Sequence, residues 1–107
     1  MTAAVAAELP GSTTVSRRAV RRIAARAARE VAGVEPGVTV QADIHGARTT
    51  LDVRFAIRYP QPIDRIAEAC RAHLIDRTTE LTGLEVAGID IEVAALITET
   101  VAVVRVR

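Results

Sequence analysis

The chain is 107 residues long, half of them hydrophobic and a quarter charged, with a formal net charge of +1. This length suits one domain with a single two-layer core, and the near-neutral charge excludes a strong overall electrostatic field. The lone Cys70 excludes an internal disulfide and is compatible with a reducing cytoplasm. No apolar run approaches the ~20 residues that a bilayer-spanning helix needs.

Residues 1–14 form an Ala-rich segment followed by Pro, Gly, Ser and Thr. We predict a disordered leader here, because nothing in the segment would offset the entropy lost on ordering. The segment lacks the basic and Leu-rich regions of a signal peptide.

Residues 15–33, VSRRAVRRIAARAAREVAG, predict an amphipathic helix that is capped by Ser16 and ended by Gly33. One side is apolar at helical spacing and carries Val20, Ile23, Ala24, Ala27 and Val31. All six arginines of the segment fall in the opposite half, namely Arg17, Arg18, Arg21, Arg22, Arg26 and Arg29.

Two alternating segments follow the turn around Pro36. Residues 38–44 alternate apolar and polar side chains, and residues 49–59 do so again after a short reversal that contains Gly46. The second segment places Leu51, Val53, Phe55, Ile57 and Tyr59 on one face. This period of two predicts a β-hairpin with one buried and one solvated face.

A second helix is predicted from Pro62 to about Thr82, ended by Gly83. Its apolar stripe consists of Ile63, Ile66, Ala67, Cys70, Leu74 and Leu81. Residues 84–97 alternate again and predict a third strand, in which Gly88 marks a bulge. Residues 98–107 form a β-prone tail that either lengthens this strand or adds an edge strand.

The predicted fold is α+β, a two-layer α-β-β-α-β sandwich whose three-stranded sheet carries two helices on one face. Residues 15–97 form the single domain, preceded by the leader 1–14 and followed by the strand or tail 98–107. The pattern leaves open whether the third strand neighbours the first or the second. If the second and third strands are parallel, the connection between them is expected to be right-handed.

Catalytic and metal-binding signals are sparse. One Cys and two His cannot supply the four ligands of a zinc site, and Cys70 lies on the apolar stripe of the second helix. No Gly-rich phosphate loop or nucleophile motif occurs. We therefore predict no enzymatic activity, no catalytic residue, no metal and no cofactor.

Two segments are candidate partner-binding sites. The first is the Arg side of the first helix. It has three possible explanations: a solvated surface, a site for an acidic protein surface that includes the acidic half of another copy, or a site for anionic lipid or nucleic acid. The second is the tail, where Val104 and Val106 alternate with arginines and an exposed edge would pair with another chain. Residues 16–34 carry a local charge of +5 and residues 62–107 a charge of −3, which favours charge-steered contact or head-to-tail self-association.

Several segments together resemble the alkaline shock protein family of bacterial envelope stress response proteins. They are VSRRAVRRIAARAAREVAGV, the hairpin, Tyr59 followed by PQPIDRIAEACRAHL, and ELTGLEVAGIDIEV. The most specific piece is residues 81–84, Leu-Thr-Gly-Leu, before the alternating Ile89, Ile91 and Val93. The chain departs from the family at Pro60, where Gly often follows the Tyr.

This resemblance implies a non-enzymatic cytoplasmic scaffold that a small membrane-anchoring partner holds at the inner face of the membrane. It also implies that the protein forms homo-oligomers and binds related family members. An alternative is a KH-like nucleic-acid-binding domain that uses the Arg-rich helix. The sequence does not favour this alternative, because it contains neither the GxxG loop nor exposed stacking aromatics.

Overall fold

The computed structural model describes residues 15–97 and 100–106. Along the chain lie α1 (Arg17–Arg29), β1 (Thr39–His45), β2 (Arg48–Arg58), α2 (Ile63–Thr82), β3 (Glu85–Ile97) and β4 (Thr100–Val106). The predicted α+β order of two helices and three strands is confirmed. The tail forms a separate strand, β4, and the predicted leader lies outside the described residues.

The four strands form one mixed sheet in the order β1-β2-β3-β4. β1 and β2 make the predicted antiparallel hairpin, and β3 lies parallel to β2. Leu51 of β2 therefore lies between Ala42 of β1 and Ile89 of β3. Because β2 and β3 are parallel, α2 is the crossover connection between them. β4 returns antiparallel along the outer side of β3 and ends the sheet.

The buried core lies between the helices and one face of the sheet. Most of the inward residues described in the two central strands are buried, including Leu51, Val53, Phe55 and Ile57 of β2 and Ile89, Ile91, Val93 and Ala95 of β3. α1 packs against β1, α2 packs against β3, and the helices contact each other. Tyr59 was predicted on the inward face, but β2 ends at Arg58 and Tyr59 is exposed.

α1 begins where the sequence predicts and ends earlier. The hydroxyl of Ser16 accepts a hydrogen bond from the Ala19 amide at 3.0 Å. The helix stops at Arg29, with Glu30 as its C-cap, so the predicted end at Gly33 is wrong and Val31 lies beyond the helix. Gly33 instead adopts a φ of +98° in the following turn, where its Cα faces the side chain of Ile66.

α2 ends as predicted, because Gly83 adopts a left-handed φ of 76° and its amide bonds to the carbonyl of Thr79 at 2.9 Å. Leu81, however, was predicted on the buried stripe and is 53% exposed. In the last turns of α2 the inward position belongs to Thr78, which is fully buried.

The bulge predicted at Gly88 is present as a shift in register. Thr49 pairs with Val86 and the next residue, Thr50, pairs with Gly88. Ala87 is thus the extra residue in β3. The bulge lets the alternation of β3 restart with Ile89 facing the core.

We predict that Gly33→Ala destabilises the fold by about 1–3 kcal/mol more than Gly37→Ala. Both glycines have positive φ, 98° and 94°, so both substitutions strain the backbone, but only at Gly33 would the new Cβ come within 2.5 Å of the Ile66 Cδ1. Gly37 has no atom within 4 Å of that position and is the matched control. Equal losses of the free energy of unfolding in urea would contradict this packing role.

Candidate interaction surfaces

The arginines of α1 divide into two groups. Arg18, Arg22, Arg26 and Arg29 are exposed on the solvent side of the helix, and we call these four the arginine face. Arg17 turns toward β1, where its Nη1 lies 3.7 Å from Asp43 Oδ1, and Arg21 is half-buried. Within the described residues, Arg26 is the only member of the arginine face with an ion pair, at 3.9 Å from Glu30. The structure therefore brings four of the six predicted arginines to one open surface.

Glu30 links the end of α1 to α2. Its Oε1 accepts a hydrogen bond from His73 Nε2 at 2.7 Å and lies 4.0 Å from Arg77 Nε. The hydrogen bond from His73, followed by the charges of Arg77 and Arg26, lowers the pKa of Glu30 below its ordinary value of 4.5. These contacts join the end of α1 to the middle of α2.

An open cleft runs along the junction of the helices. Its volume is about 360 Å³, and its apolar lining comes from Ile23, Ala27 and Leu81. Arg22, Arg26, Arg77 and Glu30 surround this apolar floor. Leu81, which the sequence predicted in the core, is thus part of an exposed surface that also contains three guanidinium groups.

The solvent side of α2 is acidic, and this surface was not among the predicted sites. It carries exposed Asp64, Glu68, Asp76 and Glu80, which we call the acidic face, together with the exposed Arg65. The spacing of four residues from Asp64 to Glu68 and from Asp76 to Glu80 was a signal in the sequence that would have revealed it. Its basic neighbours Arg71 and Arg77 fold back toward Glu68 and Glu80, at 4.0 and 3.0 Å.

The predicted tail residues Val104 and Val106 lie in β4, opposite Val93 and Ile91 of β3. On the sheet face away from the helices, Val103 is 60% exposed and lies opposite Ala94. Val103, Ala94 and Ala56 line a shallow cavity of about 260 Å³ beside the Arg54–Glu92 ion pair, which measures 3.3 Å. The uncovered face therefore has an apolar end that extends to the β4 edge.

Three further observations on the described residues concern the thiol of Cys70, possible metal ligands and the length of the helices. Cys70 is completely buried, and burial raises the pKa of its thiol to about 12, so the thiol stays protonated. Within residues 15–97 and 100–106, no group of three or more His, Cys, Asp or Glu is placed to hold a metal ion. None of the described helices is long and apolar enough to cross a bilayer.

No protein-family model matches the chain, and no curated relative is found by sequence. The solved structures that are similar include forms of the MamM CTD, a cation diffusion facilitator C-terminal domain. A triply substituted variant is 19% identical with a TM-score of 0.58, over 75% of this chain and 95% of that chain. The copper form is 19% identical with a TM-score of 0.56, over 79% and 91%. A zinc form of a substituted variant is 18% identical with a TM-score of 0.58, over 78% and 89%.

These neighbours share the fold and correct the function expected from the family resemblance. They are MamM CTDs, not alkaline shock or envelope stress proteins, so the expected role as an envelope stress response scaffold is wrong. They do not bear on the family resemblance itself, which stays a prediction. The small membrane-anchoring partner and the location at the inner face of the membrane also stay predictions.

We predict that Glu30→Gln flattens the acid side of the stability profile. Because the pKa of Glu30 is lower in the folded state than its ordinary value of 4.5, the stabilisation is complete above that value. It is lost as pH falls through the lowered pKa. The free energy of unfolding of the unmodified chain should therefore drop more steeply than that of Glu30→Gln between about pH 5 and pH 3. His73→Gln should reproduce most of the flattening, and parallel profiles for all three proteins would contradict the assignment.

Proposed function

We propose that this chain is a non-enzymatic protein-interaction module that assembles with a second copy of itself through the open edge of β4. The observation that carries the proposal is the position of β4 as a terminal strand. It pairs with β3 on one side, and no described strand pairs with its other side. Unpaired amide and carbonyl groups along such an edge are a template for another strand.

The two edges of the sheet differ in how well they discourage this pairing. β1 has the sequence TVQADIH, with Gln41, Asp43 and His45 along its length. β4 has the sequence TVAVVRV, with four valines, no proline and the single charge of Arg105. Neither strand contains proline, and each has one formal charge, Asp43 in β1 and Arg105 in β4. Because β1 adds the polar Gln41 and His45, β4 is the more apolar and less protected edge, and it is the edge that supports association.

Two-fold symmetry makes the pairing specific. The commonest homodimers have a two-fold axis, which places identical residues opposite each other where the axis crosses the interface. Val103 is the middle residue of Thr100–Val106, so an antiparallel pair of β4 strands would bring Val103 of one copy beside Val103 of the second copy. The apolar strip of Ala56, Ala94 and Val103 would then continue across a sheet of twice the width.

The structural neighbours support an interaction role more than a catalytic one. The likeness to MamM CTDs concerns the fold, and the protonated, buried Cys70 leaves no evident nucleophile among the described residues. Zinc and copper forms are reported for those neighbours, and our proposal assigns neither metal to this chain. We place the module in the cytoplasm, as the sequence predicts.

We predict that Val103→Glu and Val103→Lys each halve the mass that light scattering gives for the assembled chain. Each substitution sets two like charges directly opposite each other across the two-fold axis, and such pairs destabilise a sheet. An equimolar mixture of the two variants should restore the mass, because the mixed pair carries opposite charges.

The matched controls are Thr39→Glu and Thr39→Lys, since Thr39 is exposed on the same sheet face at the other edge. They should leave the mass unchanged. A monomeric unmodified chain, or Val103 variants that keep the full mass, would overturn the proposal. Loss of mass in the Thr39 variants alone would assign the interface to β1.

A further inference from the structure

We infer that the cleft between α1 and α2 is a docking groove for a helical segment of another protein, with aliphatic side chains along one stripe and carboxylates beside that stripe. The inference goes beyond the proposed function, because it assigns a partner of different chemistry to a different side of the molecule. The cleft belongs to the helix layer, on the opposite side of the sheet from the uncovered face. Its apolar floor, its open guanidinium groups and its course between two helices carry the inference.

The floor of the cleft exposes apolar surface that the core does not use. Leu81 is 53% exposed, Ile23 is half-buried, and Ala27 completes the apolar lining. Because the removal of apolar surface from water favours association, this floor attracts apolar side chains of a partner.

The charge beside the floor is positive on the α1 side. Arg22 has no ion pair among the described residues, and Arg26, whose side chain is 80% exposed, only approaches Glu30 at 3.9 Å. Glu30 is engaged toward α2, where its Oε1 accepts a hydrogen bond from His73 Nε2 at 2.7 Å. Two guanidinium groups of α1 are therefore open to carboxylates of a partner, and such complementary charges steer and orient association.

The α2 side of the cleft offers no comparable attraction for an anion. Arg77 Nη1 lies 3.0 Å from Glu80 Oε1, and Arg77 Nε lies 4.0 Å from Glu30 Oε1. Asp76 and Glu80 are exposed on the same helix. Carboxylates of a partner would meet repulsion there, so we place them over α1 only.

The course of the cleft favours a helix as its occupant. Glu30 at the end of α1 meets His73 in the middle of α2, whereas Ile23 shares the cleft with Leu81 near the end of α2. The two helices are therefore antiparallel, and a third helix packs along such a junction with its apolar stripe inward. The cleft has a volume of about 360 Å³ and is open to solvent, whereas small-molecule sites enclose most of their ligand.

The probe is a fluorescently labelled helical peptide with leucines along one stripe, glutamates beside that stripe on one side only, and glutamine elsewhere. Fluorescence anisotropy with the full chain at physiological salt should show saturable binding. Arg22→Glu combined with Arg26→Glu should weaken this binding by at least about tenfold, because the partner's carboxylates would then face like charges. Leu81→Ser should also weaken it by about tenfold, because the apolar floor is lost.

Arg18→Glu combined with Arg29→Glu is the matched control. These two arginines are exposed on the same side of α1 and make the same change in net charge, but they do not line the cleft. Because physiological salt screens exposed charges beyond about 8 Å, this pair should weaken binding by less than about threefold.

Charge exchange keeps the test independent of folding. The Arg22→Glu, Arg26→Glu variant should bind a second peptide, with lysines in place of the glutamates, more tightly than the unmodified chain does. Failure of the unmodified chain to bind the glutamate peptide would overturn the inference. Equal losses from the Arg18, Arg29 pair would also overturn it, and binding of labelled oligouridine would then assign the arginine face to nucleic acid. Val103→Lys should bind the peptide normally, so failure here is distinguishable from failure of the β4 pairing.

Discussion

The fold depends on the burial of one face of β2. Leu51, Val53, Phe55 and Ile57 alternate with exposed residues over the length of the strand, which pairs with β1 on one side and β3 on the other. Burying a large aliphatic or aromatic side chain contributes about 1.5–3 kcal/mol, so these residues decide which face the helices cover. The Ala-rich inner side of α1 allows that helix to approach the sheet closely. Covering one face only leaves the second face and both sheet edges open.

These open surfaces account for the proposed function. The thiol of Cys70 is buried and protonated, whereas an exposed edge strand and an exposed arginine-rich helix face are open to other molecules. The β4 edge has fewer polar residues than β1, and four arginines are exposed on the solvent side of α1.

Local patterns predicted most of the fold, and tertiary contacts explain where prediction failed. Period-two alternation identified β2 and β3, and the left-handed Gly83 ended α2 as expected. Gly33 looked like the same signal, but α1 already ends at Arg29, and Gly33 lies in the following turn next to Ile66, which is distant in sequence. Leu81 fits the apolar period of α2 yet lies in the interhelical cleft, because Thr78 occupies the inward position. The arginines of α1 were identified from the sequence. The acidic face of α2 was missed, although the four-residue spacing of its carboxylates was present in the sequence.

The most direct test of the account is amide hydrogen exchange of β4 and β1 at low and high protein concentration. If copies pair through β4, amides of residues 100–106 that do not bond to β3 should exchange more slowly as concentration rises. Amides of β1 at the opposite edge should exchange at a constant rate. Exchange in β4 that does not depend on concentration, across a range in which the chain is assembled, would contradict the central claim that this edge is an interface.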